Sequence, residues 1–156
     1  MVAAGRQSTH GGLAMTTGAT DNANVTALKR AYGRWHETKG ASVDDWMALL
    51  ADNINFNSIA AGAAHVAYMT NYDQRQALRS YFEGLAKNWT MIHFTVDEYI
   101  AQGDVVVARG SCAWQNKHTQ KVCATPKIDY WRFHDGKAVE YFEYYDTAGV
   151  QAASTS

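Results

Sequence analysis

The chain lacks a run of apolar residues long enough to span a bilayer, which excludes a helical membrane segment. It also lacks an excess of charge of one sign. Fourteen basic residues stand against 15 acidic ones for a net charge of −1, and the Lys and Arg residues are scattered. That balance excludes the basic footprint that nucleic acid or an anionic membrane surface requires. Cysteine is scarce, with only Cys112 and Cys123. They flank a turn expected over Asn116 to Lys121, and a tight turn centred on Lys117-His118 would set them directly across from each other. Two buried free thiols on neighbouring strands suit a reducing cytoplasm, the expected compartment. No His/Cys spacing suggests zinc, so neither a metal nor a cofactor is expected. Large apolar side chains are nearly missing from the first twenty or so residues, which are rich in Gly, Ala, Ser and Thr. Residues 1–23 therefore read as a flexible arm without the continuous apolar segment of a signal peptide.

What is present is 47% apolar residues in a chain of 156, enough to bury a core. One domain is expected over residues 24–148, followed by a polar tail at 149–156. Val25, Leu28, Ala31, Tyr32 and Trp35 recur at helical spacing and predict a helix from Asn24 to about Glu37. Ser42 is a good N-cap for a second, short helix with Val43, Trp46, Met47 and Leu50 as its apolar stripe. Ile54, Phe56 and Ser58 alternate with Asn55 and Asn57 as a short strand does. Ala60 to Thr70 has no clear periodicity and reads as a loop, a lid candidate. Asp73 is expected to cap a third helix that buries Leu78, Tyr81, Phe82 and Leu85. After Trp89 the period changes to two, giving four consecutive antiparallel strands. This order predicts an α+β fold, a curved sheet wrapped around helices with a pocket on its concave side.

The most informative stretch runs from Lys127 to Asp146. Two aromatic-rich runs flank Asp135-Gly136, a strong hairpin signal. Each run carries a carboxylate among aromatic rings, Asp129 and Glu143. If Asp135-Gly136 is a two-residue turn, His134 pairs with Lys137, Asp129 faces Phe142, and Glu143 points to the opposite side. If the loop has three residues, Asp129 faces Tyr141 and Glu143 is its diagonal neighbour on the same face, about 7–8 Å away.

The order of elements resembles the cone-shaped α+β fold of nuclear transport factor two, ketosteroid isomerases, scytalone dehydratase, limonene epoxide hydrolase and SnoaL-type polyketide cyclases. The likeness is sharpest in Ile128-Asp129-Tyr130-Trp131-Arg132-Phe133, Asp135-Gly136-Lys137 and Glu143-Tyr144-Tyr145-Asp146-Thr147. It implies that Asp129 stands where ketosteroid isomerases keep a protonated Asp, and Glu143 where SnoaL-type cyclases carry a catalytic Asp. Both then face the cavity, which favours the three-residue turn. Tyr32 falls near the oxyanion-hole Tyr of the isomerases. Arg109 matches the Arg of the epoxide hydrolase set, but Ser111 replaces one of its carboxylates, and Ser58 stands near the isomerase base.

The implied activity is acid–base chemistry on a small hydrophobic carbonyl compound, polyketide- or steroid-like, through an enolate, with Asp129, Glu143 and Tyr32 as catalytic residues. Trp46, Phe56, Asn57, Phe82, His93, Arg109, Trp131 and Tyr141 are the substrate-contact candidates. Epoxide hydrolysis with Glu143 and Arg109, and ligand binding without catalysis, are the alternatives. Tyr130, Arg132, Glu140, Phe142 and Tyr144 form an outer aromatic patch suited to a homodimer.

Overall fold

Asn22 opens the first helix, its side-chain oxygen accepting the Asn24 N–H at 3.0 Å. That satisfies one of the donors a helix start leaves free. The structure, a computed structural model, describes residues 22–156, so the arm expected over residues 1–23 lies outside the described residues except for its last two. Helix α1 spans Ala23–Glu37 and buries Leu28, Ala31, Tyr32 and Trp35, one stripe at 3.6-residue period. Lys39 and Gly40, both at positive φ, end the segment. Helix α2, Val43–Leu49, buries Trp46 and Met47. Ser42 precedes it without making the expected side-chain cap, and Asp44 and Asp45 in the first turn face the positive end of the helix dipole instead.

Strand β1 spans Leu50–Ser58 and begins directly after α2. The loop that follows holds one short turn of tighter helix at Ala64–Val66, then β2 at Tyr72–Gln74. Asp73 thus lies in β2 and does not cap a helix, correcting the sequence reading. A turn at Arg75–Ala77 leads into α3, Leu78–Asn88, whose inward face carries Leu78, Tyr81 and Phe82. Strands β3 (Trp89–Gln102), β4 (Val105–Asn116), β5 (Val122–His134) and β6 (Lys137–Tyr145) follow. The expected polar tail from Gly149 is instead helix α4, Thr147–Ser154, capped by the Asp146 carboxylate on the Gly149 N–H and burying Ala153.

The six strands run in the order β2-β1-β6-β5-β4-β3. All neighbours are antiparallel except β1 and β6. The parallel pair sets Phe56 beside Tyr141 and Ser58 beside Glu143. Trp35, Trp46, Phe82, Phe94 and Trp131 fill the space between the sheet and the helices.

The β5–β6 hairpin decides the geometry of the site. Asp135 and Gly136 have φ of 47° and 75°, and His134 pairs with Lys137, so the turn has two residues. A turn needing positive φ twice favours Gly at its second position. The three-residue turn is therefore corrected. Yet Asp129 lies directly across from Glu143, because the register shifts between Arg132 and Phe133. Val139 is the extra residue, a bulge that restores both carboxyls to one face. A second correction concerns the thiols. Cys112 pairs with Thr125 and Cys123 with Trp114, so the two cysteines are diagonal neighbours, both free. The loop between β4 and β5 closes with the Asn116 N–H on Lys121 O, centred one residue beyond the expected point.

Candidate active site

Strand alternation builds the site. Cys123, Thr125, Lys127, Asp129, Trp131 and Phe133 are buried, and the residues between them are exposed or half-buried. On β6 the bulge places Tyr141 and Glu143 on the same inward face. Helix α1 brings Tyr32 over Asp129 from the opposite wall.

All of these side chains except Phe133 line a cavity of about 120 Å³ between the sheet and the helices. Its walls are aromatic. Trp46 stacks parallel to Trp131 at 5.5 Å between ring centroids, and Phe56 stacks on Tyr141 at 4.3 Å. Val66, Tyr68 and Met69 from the loop after β1 close one side. Tyr68 fits there because Gly84 of α3 has no side chain, and a Cβ at that position would lie 2.4 Å from the Tyr68 Cβ.

The polar groups form one buried cluster. Lys127 Nζ lies 2.8 Å from Asp129 Oδ1 and also binds Glu143 Oε2. Tyr141 Oη is 3.0 Å from each of Asp129 Oδ1 and Glu143 Oε2. Tyr32 donates to Asp129 Oδ2 at 2.5 Å and accepts the Trp131 indole N–H at 2.9 Å. Both oxygens of Asp129 are therefore engaged. Glu143 differs. Only its Oε2 is held, and among the described residues no donor reaches Oε1.

Burial pushes the Asp129 carboxyl above its ordinary range. Lys127 pulls it down, and the neighbouring charge of Glu143 pushes it up again. Burial alone would discharge Lys127, but Asp129 and Glu143 reverse this and hold the ammonium well above the usual lysine value. Tyr32 and Tyr141 are pushed far up, by burial first and then by Asp129. Both phenols stay protonated and act as hydrogen-bond donors. Burial also pushes the Cys112 thiol up to about 11, so it is not a ready nucleophile.

The structure thus gathers Asp129, Glu143, Tyr32, Trp46, Phe56, Phe82, Trp131 and Tyr141 around one cavity. It does not bring Asn57, His93 or Arg109 there. Asn57 faces away from Phe56 and Ser58, and its side-chain oxygen accepts the Ser58 N–H. A register shift between Met91 and His93 turns Met91 and Phe94 inward and leaves Ile92 exposed, while His93 Nε2 lies 3.5 Å from Ser111 Oγ. Arg109 is exposed and pairs with Glu98 at 2.9 Å across the outer face. Lys127 is the residue that sequence reasoning left out of the site. Its signal was parity, since it shares period-two alternation with Asp129 and Trp131. Among the described residues no His, Cys, Asp and Glu side chains cluster as metal ligands, and no helix is long and apolar enough to cross a membrane.

A curved sheet packed around helices is the architecture that comparison with known proteins returns. Residues 28–141 match the model of the SnoaL-like domain family. The chain belongs to that family. No curated protein matches it. Among solved structures, a nuclear transport factor two-like protein of unknown function from Burkholderia pseudomallei superposes with a TM-score of 0.72 at 18% identity, covering 86% of this chain and 98% of that one. A nuclear transport factor two-like protein from Burkholderia thailandensis gives 0.72 at 22% identity, over 85% and 98%. A protein of ketosteroid isomerase-like fold from Catenulispora acidiphila, in complex with trimethylamine, gives 0.65 at 17% identity, over 84% and 91%. At these identities the likeness is one of fold.

Proposed function

We propose that this SnoaL-like chain is an enzyme that moves a carbon-bound proton on a compact carbonyl compound, through an enolate, as an isomerase, cyclase or lyase does. One observation carries the reading: Glu143 Oε1 has no donor from the described residues while Oε2 is held by Lys127 and Tyr141. A carboxylate anchored by one oxygen, with the other free in an apolar cavity, is placed to act as a general base. Asp129 serves the other end of the reaction. When it carries a proton directed at Tyr32 Oη, the Tyr32 hydroxyl is free to donate into the cavity. There it meets the oxygen on which enolate charge develops, with Trp131 still donating to Tyr32.

Size narrows the substrate. An apolar void of about 150 Å³ accommodates one benzene ring, so a cavity of about 120 Å³ suits a single small ring or a short chain. A steroid or fused polyketide requires the segment carrying Val66, Tyr68 and Met69 to swing out. The epoxide hydrolase alternative loses its support, because Arg109 pairs with Glu98 away from Glu143. The outer face, with Phe142 and Tyr144 rings 4.8 Å apart and Ile128 exposed, is the surface through which two copies would pair. Sedimentation at micromolar concentration checks that pairing.

The test of the activity is proton exchange. A panel of small cyclic ketones and enones is incubated with the protein in heavy water and followed by NMR. Exchange at the carbon next to the carbonyl, lost in Glu143→Gln, is the expected result. Ligand binding without exchange across the panel favours the non-catalytic binding module.

A further inference from the structure

Donor protons run short in the buried cluster. The Lys127 ammonium carries three N–H bonds. They reach Asp129 Oδ1, Glu143 Oε2 and, at 3.5 Å, Tyr141 Oη. Tyr32 gives its one proton to Asp129 Oδ2, and its oxygen accepts from Trp131. Tyr141 has one proton and two carboxyl oxygens at 3.0 Å, Asp129 Oδ1 and Glu143 Oε2, and cannot donate to both. With both carboxyls ionised, one of those contacts opposes two sets of lone pairs with no hydrogen between them. In a site walled by aromatic rings such a contact is costly. Two carboxylates against one ammonium also leave the cluster with one uncompensated negative charge, buried. A single added proton removes both conflicts.

We infer that Asp129 and Glu143 hold one excess proton between them in the resting protein, exchanged through the Tyr141 hydroxyl, with Lys127 as the fixed counter-ion. In this arrangement Lys127 and Tyr141 are positioning residues. The inference deepens the acid–base reading and rests on it for its use: a proton on Asp129 Oδ1, directed at Tyr141 Oη, lets Tyr141 donate to Glu143 and leaves Glu143 Oε1 free as base, and its move to Oδ2 on substrate binding frees the Tyr32 hydroxyl. When Tyr141 passes its own proton to Glu143 and takes the one on Asp129, no charge leaves the cluster.

The other titratable groups packed around it are Tyr32 on α1, Tyr68 after β1, Tyr81 on α3, Tyr99 on β3, Cys112 on β4 and Tyr145 on β6. Burial holds each above its ordinary value, so none gives up a proton near neutrality. The excess proton therefore belongs to the two carboxyls, the cluster's remaining acids.

Infrared spectroscopy of the full chain, with carbon-13 in the Asp and Glu side-chain carboxyls, tests this without any substrate. At neutral pH the wild type should show the carbonyl stretch of one protonated carboxylic acid, moved by the label and by heavy water. Asp129→Asn and Glu143→Gln should each abolish it, because the remaining carboxylate then pairs alone with Lys127. A wild type without the band at neutral pH overturns the inference, as does a band that survives both substitutions. Should either variant fail to fold, the wild-type titration stands in its place: the band must vanish as a single group when the pH is raised. A band present in a protein that exchanges no substrate would keep the shared proton and end the catalytic reading. Exchange without the band would do the reverse.

Discussion

Two ion-pair clusters lie on opposite faces of the same hairpin. Outside, Arg132 binds Glu140 at 3.1 Å and Asp104 at 3.1 Å, with side chains 41%, 36% and 57% exposed. Inside, Lys127 binds Asp129 and Glu143, with side chains 8%, 3% and 8% exposed. The chemistry is alike, one cation and two carboxylates, but the surroundings differ. Water and salt screen the outer cluster, and such exposed pairs contribute about 0–1 kcal/mol. The inner cluster has aromatic rings in place of water, so its charges depend on one another and its protons are held in unusual places. Position on the strand, odd or even, separates a solvent-screened patch from a buried cluster of coupled charges.

The largest contrast should come from removing the two cations. Lys127→Met strands two buried carboxyls and should cost about 3–5 kcal/mol at neutral pH by denaturant unfolding. That loss should shrink on acidification, as protons replace the missing ammonium. Next comes chemistry. Glu143→Gln should slow substrate exchange by about 10²–10⁴-fold, whereas Glu140→Gln on the outer face should leave the rate unchanged.

A third contrast is in alkali. The inner phenols Tyr32 and Tyr141 stand well above their ordinary value of 10.0, and Lys127 stands above its ordinary 10.5. The folded chain thus holds these protons more tightly than the unfolded one. The stability they contribute is complete below about pH 10 and falls as the pH rises beyond it. Asp129 has the same sign at lower pH: its raised carboxyl makes folding less favourable as the pH climbs through its native value. Unfolding midpoints measured across both windows should fall with rising pH, and Tyr141→Phe should flatten the alkaline limb. The smallest effect belongs to Arg132→Ala, within about 1 kcal/mol and fading with added salt. If two copies pair through this face, the same substitution should also raise the concentration at which sedimentation shows monomer.

Much of this was legible beforehand. Helical spacing marked Tyr32, and period-two alternation marked Asp129 and Trp131, because both patterns arise from local backbone geometry. Lys127 was legible by the same parity, yet a lysine between aromatic strands reads as surface until its two carboxylate partners are known. The share of the cavity given to Asn57, His93 and Arg109 was not legible. Each lies on the face opposite the cavity, and for His93 the register shift beside Ile92 settles it.

The sequence by itself determined where five of the six strands and the first three helices lie, β2 at Tyr72–Gln74 being the exception, that a hairpin turns at Asp135-Gly136, and that Asp129 belongs with the large rings. The family resemblance implied that Glu143 joins it, but tertiary structure decided by what backbone route. The two-residue turn, taken alone, would have sent Glu143 outward. The extra residue at Val139 reverses that, and its cause is the packing of Tyr141 and Glu143 against Phe56, Lys127 and Asp129, residues up to 87 positions apart in the chain. Helix α4 belongs to the same class. Its residues carry little apolar pattern of their own, and Ala153 is buried only because Trp89 and Cys123 are already in place to receive it. A bulge or a docked helix costs backbone freedom locally and is repaid only by contacts distant in sequence.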